Sequence, residues 1–176
     1  DFEVIAGQGT LGLEILGDLP TADMVIVPAG GGGLLAGVAA CIKQINPRVQ
    51  VIGVQAEGAS AIAQSFREKK YISTDSVSTI ADGIAVKSPG DITVELINRY
   101  ADDVVTVNDN EISEAILLLM ERCKQIVEPS GATPVAAVLK GKVDVNGKKV
   151  VCLLSGGNID VSFIQCIIAQ GLVARN

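Results

Sequence analysis

Short runs that are apolar at nearly every position alternate along the chain with longer segments in which apolar residues recur every three or four positions. The short runs are typical of strands buried on both faces of a parallel sheet, and the longer segments are typical of amphipathic helices. The predicted strands are 23–28, 49–55, 103–107 and 149–154, and the predicted helices are 5–19, 34–45, 59–69, 92–100, 111–127, 132–139 and one that ends near 173. This alternation predicts an α/β fold, doubly wound, with a mostly parallel sheet and helices on both faces in three layers.

Proline, glycine and asparagine mark the boundaries between these elements. Pro20 closes the first predicted helix, and either Asn108 or Asp109 is expected to cap the helix 111–127. The segment 71–90 is rich in Ser, Thr, Asp and Gly, so we expect a loop that lines a site.

Composition narrows the class of protein. With 176 residues, 48% of them hydrophobic and 19% charged, the chain suits one globular domain over 1–176 rather than a disordered segment. No apolar run reaches about 18 residues and no basic flank precedes an apolar core at the start, so we expect neither a membrane span nor a signal peptide. The net charge is −6, and only three Phe and two Tyr residues are present, which argues against nucleic-acid binding.

The chain has four cysteines, no C-x-x-C pair and no histidine. This pattern argues against a zinc site and a small disulfide scaffold, and it excludes any Ser-His or Cys-His triad built from this chain. The apolar neighbours of the cysteines suggest buried thiols in a reducing compartment, so we expect a cytoplasmic location.

Four consecutive glycines, Gly30, Gly31, Gly32 and Gly33, follow the first predicted strand and open a helix. The backbone N–H groups of a helix's first turn are unpaired and its dipole is positive there, so a loop without side chains can close around a phosphate. The sequence is neither the dinucleotide G-x-G-x-x-G nor a P-loop. The alternative interpretation is a glycine loop needed only for tight strand–helix packing.

A second glycine-bearing strand end, LSGGNID at 154–160, follows the last predicted strand. Ligands of open α/β sheets bind outside the carboxyl ends of the strands, so the two glycine motifs can meet at one crevice. Ser155 would offer a hydroxyl there, and its alternative role is to cap the following helix.

Five motifs occur in one order along the chain: AGQGTLGLE at 6–14, VPAGGGGLLAGVA at 27–39, IADG at 80–83, VEPSGA at 127–132 and LSGGNID at 154–160. Together they closely resemble the threonine dehydratase and serine racemase family of fold-type II pyridoxal-phosphate enzymes. The resemblance covers almost the whole chain, but only the C-terminal part of the family's catalytic domain.

The resemblance implies roles for particular residues. The cofactor, pyridoxal 5′-phosphate, would be held through its phosphate by the glycines 30–33 and Leu34, and its pyridine nitrogen would be hydrogen-bonded by Ser155. Gly83 resembles the backbone that approaches the cofactor ring, and its alternative role is a plain turn. Glu128 either lines the pocket or, as we favour, has a structural role beside a proline at the start of a helix.

Some relatives bind a divalent cation through a Glu, a backbone carbonyl and an Asp. Glu57 matches the first of these ligands and Ala61 could give the carbonyl, but Ala63 stands at the Asp position. Hard cations need several oxygen ligands, so we expect at most a weak, incomplete site for a monovalent or divalent cation.

The family's Schiff-base lysine lies in a Ser/Thr-x-Lys-x-Arg-Gly-Ala motif, which this chain lacks, as it lacks the Ser-Gly-Asn-His stretch that grips the substrate. We therefore expect a fragment without a catalytic residue and inactive alone. The resemblance implies that the intact enzyme, a homo-oligomeric dimer or tetramer, converts L-threonine to 2-oxobutanoate and ammonia by β-elimination and deamination, and L-serine to pyruvate.

Two rival functions stay open. The first is a serine racemase or serine dehydratase of the same fold. The second is a non-catalytic mononucleotide-binding module, in which Glu57 near the end of the second predicted strand would hold a ribose. The apolar face of 112–120 could form a subunit contact, although core packing is the interpretation we favour.

Overall fold

Four parallel strands form the centre of the computed structural model, which describes residues 1–174. They are β1 (Met24–Pro28), β2 (Gln50–Ala56), β3 (Asp103–Val107) and β4 (Val150–Cys152), in the order β3-β2-β1-β4. In the register, Met24 lies opposite both Gln50 and Val150. Because every pairing is parallel, the carboxyl ends of all four strands lie at one edge of the sheet.

Seven helices surround this sheet within the described residues. They are α1 (Phe2–Asp18), α2 (Gly33–Ile45), α3 (Ala61–Glu68), α4 (Asp91–Tyr100), α5 (Asp109–Leu118), α6 (Pro129–Leu139) and α7 (Val161–Ala174). Two 3₁₀ turns, Glu57–Ala59 and Asp82–Ile84, and one π-helical turn, Leu119–Cys123, complete the regular structure. None of the helices in this part of the chain is long and apolar enough to cross a bilayer.

Both faces of the sheet are covered, because side chains alternate along a strand and β1 is apolar at every position. Val25 and Val27 face the core formed with α1, α2, α3 and α4. Met24 and Ile26 face the opposite core, formed with α5, α6 and α7. The predicted three-layer α/β fold with a parallel sheet is confirmed.

Helix α5 packs its apolar face into the second core. Ile112 and Ile116 are buried there against the sheet, so the core interpretation of this face is confirmed. Asn108 is the capping residue: its side chain accepts from the Glu111 N–H, and the Glu111 carboxylate accepts from the Asn108 N–H. This reciprocal pair fixes the start of α5.

The predicted helix over 111–127 is wrong in its second half. The α-helix ends at Leu118, the π-helical turn ends at Cys123, and Lys124 takes a left-handed conformation with φ of 58°. The chain then turns back so that the Glu128 N–H donates to the Gly156 carbonyl, which a continued helix would prevent. Helix α6 starts at Pro129, a favourable first-turn proline, rather than at residue 132.

The last strand is shorter and less buried than predicted. β4 has three residues, all half-buried, because no other strand of the described chain pairs with its outer edge. The Leu153 N–H still donates to the Ile26 carbonyl, after which the chain leaves the sheet.

The four cysteines do not share the predicted burial. Cys41 and Cys152 are half-buried, whereas Cys123 and Cys166 are exposed, and all four are free thiols. The expectation of buried thiols is therefore wrong for Cys123, at the end of the π-helical turn, and for Cys166, on the outer side of α7.

Candidate functional site

The fold brings the two glycine motifs to the same edge of the sheet. The loop Gly30–Gly33, called here the tetraglycine loop, follows β1, and the loop Ser155–Asn158, called here the serine loop, follows β4. β1 and β4 are neighbours in the sheet, so both loops leave from adjacent carboxyl ends. The two motifs therefore lie at one edge of the sheet, as predicted from the sequence.

The tetraglycine loop is shaped by hydrogen bonds to its carbonyl groups. The Gly30 carbonyl accepts from Gln55 Nε2 at 3.4 Å, and the Gly31 carbonyl accepts from Thr93 Oγ1 at 2.7 Å. Gly32 has a φ of 92°, in the left-handed region that glycine adopts readily. The loop is therefore a defined turn, with its carbonyl oxygens directed into the protein.

Helix α2 begins at the end of this loop and presents its N-terminus there. The Ala36 N–H donates to the Gly32 carbonyl, which leaves the N–H groups of Gly33, Leu34 and Leu35 without an intrahelical acceptor. The first turn of α2 holds no acidic residue, so the positive end of the helix dipole is uncompensated.

The space in front of the loop is open. A methyl group at Gly33 would meet no atom within 4 Å, and one at Gly31 would have its nearest neighbour, Val86 Cγ1, at 3.9 Å. Unpaired N–H groups, a positive helix end and open space together suit a phosphate group. Tight packing alone does not explain the open positions, although it does apply at Gly30 and Gly32.

The 3₁₀ turn that carries Gly83 forms a wall of the site. A methyl group at Gly30 would lie 3.0 Å from Ile84 Cα, so this turn packs directly on the tetraglycine loop. On its other side, a methyl group at Gly83 would lie 2.8 Å from Ser130 Oγ and 3.6 Å from Glu128 Oε1. Gly83 is thus both a turn residue and part of the wall.

Asp109 anchors the segment that leads into this turn. One of its carboxylate oxygens accepts from Thr79 Oγ1 at 2.5 Å and the other accepts from the Ile80 N–H at 3.1 Å. The Ala81 N–H in turn donates to Thr79 Oγ1 at 3.1 Å. The start of α5 therefore holds the chain just before Gly83.

The serine loop is held by Glu128. The Glu128 N–H donates to the Gly156 carbonyl at 3.1 Å, and Glu128 Oε2 accepts from the Asn158 N–H at 3.0 Å. These bonds support the structural role favoured for Glu128. Ser155 is exposed, and because α7 begins only at Val161, it does not cap that helix.

A surface cavity of about 500 Å³ lies beside the site, between the segment before Gly83 and the start of α7. Its lining residues are Thr79, Ile80, Asp82, Pro129, Asn158, Ile159, Asp160 and Phe163. They do not include the tetraglycine loop, so this cavity borders the crevice rather than containing the phosphate position.

The two candidate cation ligands, Glu57 and the Ala61 carbonyl, follow β2 and do not line the cavity beside the serine loop. Glu57 is exposed and borders a cavity that is also lined by Arg67, Glu68 and Lys70, so charges of both signs face it. The Ala61 carbonyl accepts from Ser65 Oγ at 2.7 Å within α3. Across residues 1–174, no three His, Cys, Asp or Glu side chains are grouped as a metal site, and the weak cation site stays a prediction.

Three lysine side chains pair with carboxylates. Lys43 pairs with Asp102, Lys140 with Glu114 and Lys142 with Glu111, all outside the crevice. The half-buried Cys152 thiol is no alternative nucleophile at neutral pH, because burial raises its pKa to about 11. The expectation that the Schiff-base lysine lies outside this chain stays a prediction.

Sequence reasoning missed three residues that shape the site: Gln55, Thr93 and Asp109. The sequence could have indicated Gln55, because an amide inside an apolar strand needs a hydrogen-bond partner. No local pattern indicates the contacts of Thr93 and Asp109, since their partners are 62 and about 30 positions away along the chain.

Residues 1–156 match the family described as pyridoxal-phosphate dependent enzyme. The chain is 54% identical over 98% of its length to an L-threonine ammonia-lyase of Thermotoga maritima, and covers 43% of it. Among solved structures, it matches the processed form of threonine deaminase isoform 2 from Solanum lycopersicum with a TM-score of 0.91 and 35% identity, covering 98% of this chain and 48% of that one. A maize serine racemase matches with a TM-score of 0.86 and 37% identity, covering 97% and 53%.

The fold, the open tetraglycine loop and these matches define a pyridoxal-phosphate enzyme domain. The chain belongs to the family of pyridoxal-phosphate dependent enzymes. It spans about half the length of the relatives it matches.

Proposed function

We propose that this chain is part of a threonine dehydratase that holds pyridoxal 5′-phosphate at the tetraglycine loop. The intact protein would convert L-threonine to 2-oxobutanoate and ammonia, and L-serine to pyruvate and ammonia. The observation that carries this proposal is the 54% identity to an L-threonine ammonia-lyase over 98% of this chain. The open, N–H-lined loop at the start of α2 supports the cofactor assignment independently.

In this proposal the residues of the chain mainly bind and orient. The N–H groups of Gly30–Leu34 would donate to the phosphate, and the N-terminus of α2 would add a favourable dipole. Gly83 and its 3₁₀ turn form a wall next to the loop, which limits where the rest of the cofactor can lie. When bound, pyridoxal phosphate supplies the electron sink for reactions at the α-carbon of an amino acid.

Ser155 is the proposed partner of the cofactor's ring nitrogen. Its hydroxyl is exposed at the carboxyl edge of the sheet, next to the position that Glu128 fixes. A neutral hydroxyl does not keep that nitrogen protonated as a carboxylate would, so we expect it to favour prompt elimination. In Ser155→Asp, the ratio of elimination to racemisation or transamination should fall. An unchanged ratio would contradict the role of Ser155 as the partner of the ring nitrogen.

Several properties of the intact protein belong to the same proposal. For the intact protein these are a small amino-acid substrate, a homo-oligomeric state and a cytoplasmic location. For this chain they are a single α/β domain and a weak cation site at Glu57 and Ala61. The lysine that completes the site would come from outside this chain.

Serine racemase or serine dehydratase activity is the second candidate function. The match to a maize serine racemase over 97% of this chain favours keeping it. Profiling the products formed from L-threonine and L-serine separates the two candidates.

The test adds pyridoxal phosphate to the longest protein that contains this chain and records its visible absorption before and after L-threonine. The same mixtures are assayed for 2-oxobutanoate, and parallel mixtures with L-serine are assayed for pyruvate and D-serine. A band that responds to threonine, with 2-oxobutanoate formed, is the expected result. D-serine without 2-oxobutanoate would favour the racemase, and no band at all would favour the mononucleotide-binding module.

A further inference from the structure

The tetraglycine loop contains a peptide group that could face either way. The peptide between Gly31 and Gly32 has no side chain on either side, so steric contacts within the loop do not fix its orientation. A trans peptide places its carbonyl oxygen and its N–H on opposite sides. If this peptide rotated by half a turn, the loop would present a carbonyl oxygen to the phosphate, where a donor is needed.

Thr93 stands behind this peptide and fixes its orientation. Its hydroxyl lies 2.7 Å from the Gly31 carbonyl and 2.7 Å from the Gly90 carbonyl, and these two acceptors share its single proton. The Gly90 N–H also points at the Gly31 carbonyl, at 3.5 Å. Thr93 is buried, so water does not replace its hydroxyl easily. The Gly31 carbonyl is thereby held inward and the Gly32 N–H outward.

Gln55 acts on the preceding peptide in the same direction, but more weakly. Its Oε1 accepts from the Ala63 N–H at 2.8 Å, which turns its amide nitrogen toward the Gly30 carbonyl at 3.4 Å. Gln55 is fully buried in β2. The longer distance makes it the lesser of the two contacts.

We propose that Thr93 is a positioning residue that aims the Gly32 N–H at the cofactor phosphate, with Gln55 supporting the neighbouring peptide. This inference rests on the proposed function, because it concerns the phosphate that the tetraglycine loop would bind. Thr93 acts through the loop backbone and does not touch the cofactor. Its loss should therefore weaken recognition of the phosphate and leave recognition of the rest of the cofactor unchanged.

The test uses the longest protein that contains this chain. Equilibrium absorption titration compares its affinity for pyridoxal 5′-phosphate with its affinity for pyridoxal, which lacks the phosphate. In Thr93→Val the preference for the phosphorylated form should fall roughly tenfold, in line with losing one hydrogen bond to a charged group. Thr93→Ser keeps the hydroxyl and should restore the preference to within about twofold of the unmodified protein. The ³¹P resonance of the bound cofactor should shift in Thr93→Val and not in Thr93→Ser.

Thr133→Val is the matched control. Thr133 is also buried in a helix, and its hydroxyl donates to the carbonyl three residues back, Ser130, at 2.9 Å, as the Thr93 hydroxyl does toward Gly90. Only Thr93 adds the bond to the tetraglycine loop. Thr133→Val should therefore keep the preference for pyridoxal 5′-phosphate over pyridoxal. If Thr93→Val does not fold, Thr93→Ala repeats the test.

The outcomes separate this inference from the proposed function. An unmodified protein that binds both compounds equally would overturn the proposed phosphate site and this inference with it. A clear preference in the unmodified protein that persists in Thr93→Val and Thr93→Ala would overturn the role of Thr93 alone.

Discussion

The tetraglycine loop and the serine loop leave adjacent strands at the same edge of the sheet, but they are held by different kinds of contact. The first follows a fully buried strand, and two buried side chains from other elements hold its carbonyl groups. The second follows a half-buried edge strand, and Glu128 holds it through one backbone and one side-chain bond. If the tetraglycine loop recognises a phosphate through its backbone, as proposed, its peptides need to be fixed from behind. The serine loop, which offers a side chain in the same proposal, needs only its position fixed.

The largest effect is expected from Gly32→Ala. A residue with a side chain at a φ of 92° is strained, and the added methyl group would lie 2.9 Å from Ile97 Cδ1 and 3.0 Å from Thr93 Cβ. We expect the free energy of unfolding to fall by about 2–4 kcal/mol, which chemical denaturation would measure.

Gly33→Ala is its control within the same loop. The new methyl group meets nothing within 4 Å and Gly33 already lies in α2, so stability should stay equal or rise by about 0.5–1 kcal/mol. The methyl group would still occupy the open space, so affinity for pyridoxal phosphate should fall. Equal destabilisation by both variants would contradict the view that the loop is rigid at Gly32 and open at Gly33.

A smaller effect is expected from Glu128→Ala, which frees the Asn158 N–H. We expect a loss of about 1–2 kcal/mol in the free energy of unfolding and faster hydrogen exchange at Asn158, with little change at Gly32. Glu128→Gln keeps an acceptor oxygen and should lose less than half as much. If exchange at both loops rose together, the two loops would not be held independently.

Asp109→Ala tests the wall that lies between the two loops. It removes both acceptors from the segment 79–80, so we expect a loss of about 1 kcal/mol and faster exchange of the Ile80 amide. Asp109→Asn keeps one acceptor oxygen, so its free energy of unfolding should lie between those of the alanine variant and the unmodified protein. An unchanged Ile80 amide in the alanine variant would show that other contacts hold this segment.

The smallest perturbation is thiol labelling, which leaves the fold intact. The thiolate is the reactive form, and burial raises the pKa of Cys152 to about 11, so its thiolate fraction at pH 8 is low and rises about tenfold per pH unit below that pKa. Peptide mapping after labelling at pH 8 should show Cys152, next to the serine loop, reacting far more slowly than the exposed Cys123 and Cys166. Comparable rates for all three would indicate that the β4 edge opens readily.

Local patterns were enough to predict most of the fold. The apolar runs predicted all four strands, because strands buried on both faces need apolar residues at nearly every position. The pattern failed at the end of α5, where the apolar period continues past Leu118 but the backbone does not. It also overestimated β4, since a strand's apolar residues do not show whether another strand covers its outer edge.

The candidate site was predicted in part. The tetraglycine loop has a local signature, four glycines between a strand and a helix, so the sequence by itself located the loop for which we propose phosphate binding. Only the tertiary structure decided what orients those glycines: Gln55 and Thr93 reach them from distant elements, and Asp109 and Glu128 hold the neighbouring segments. The physical reason is that glycines make the loop able to approach an anion but leave its peptides free to rotate, so their orientation depends on contacts that form only when the chain has folded.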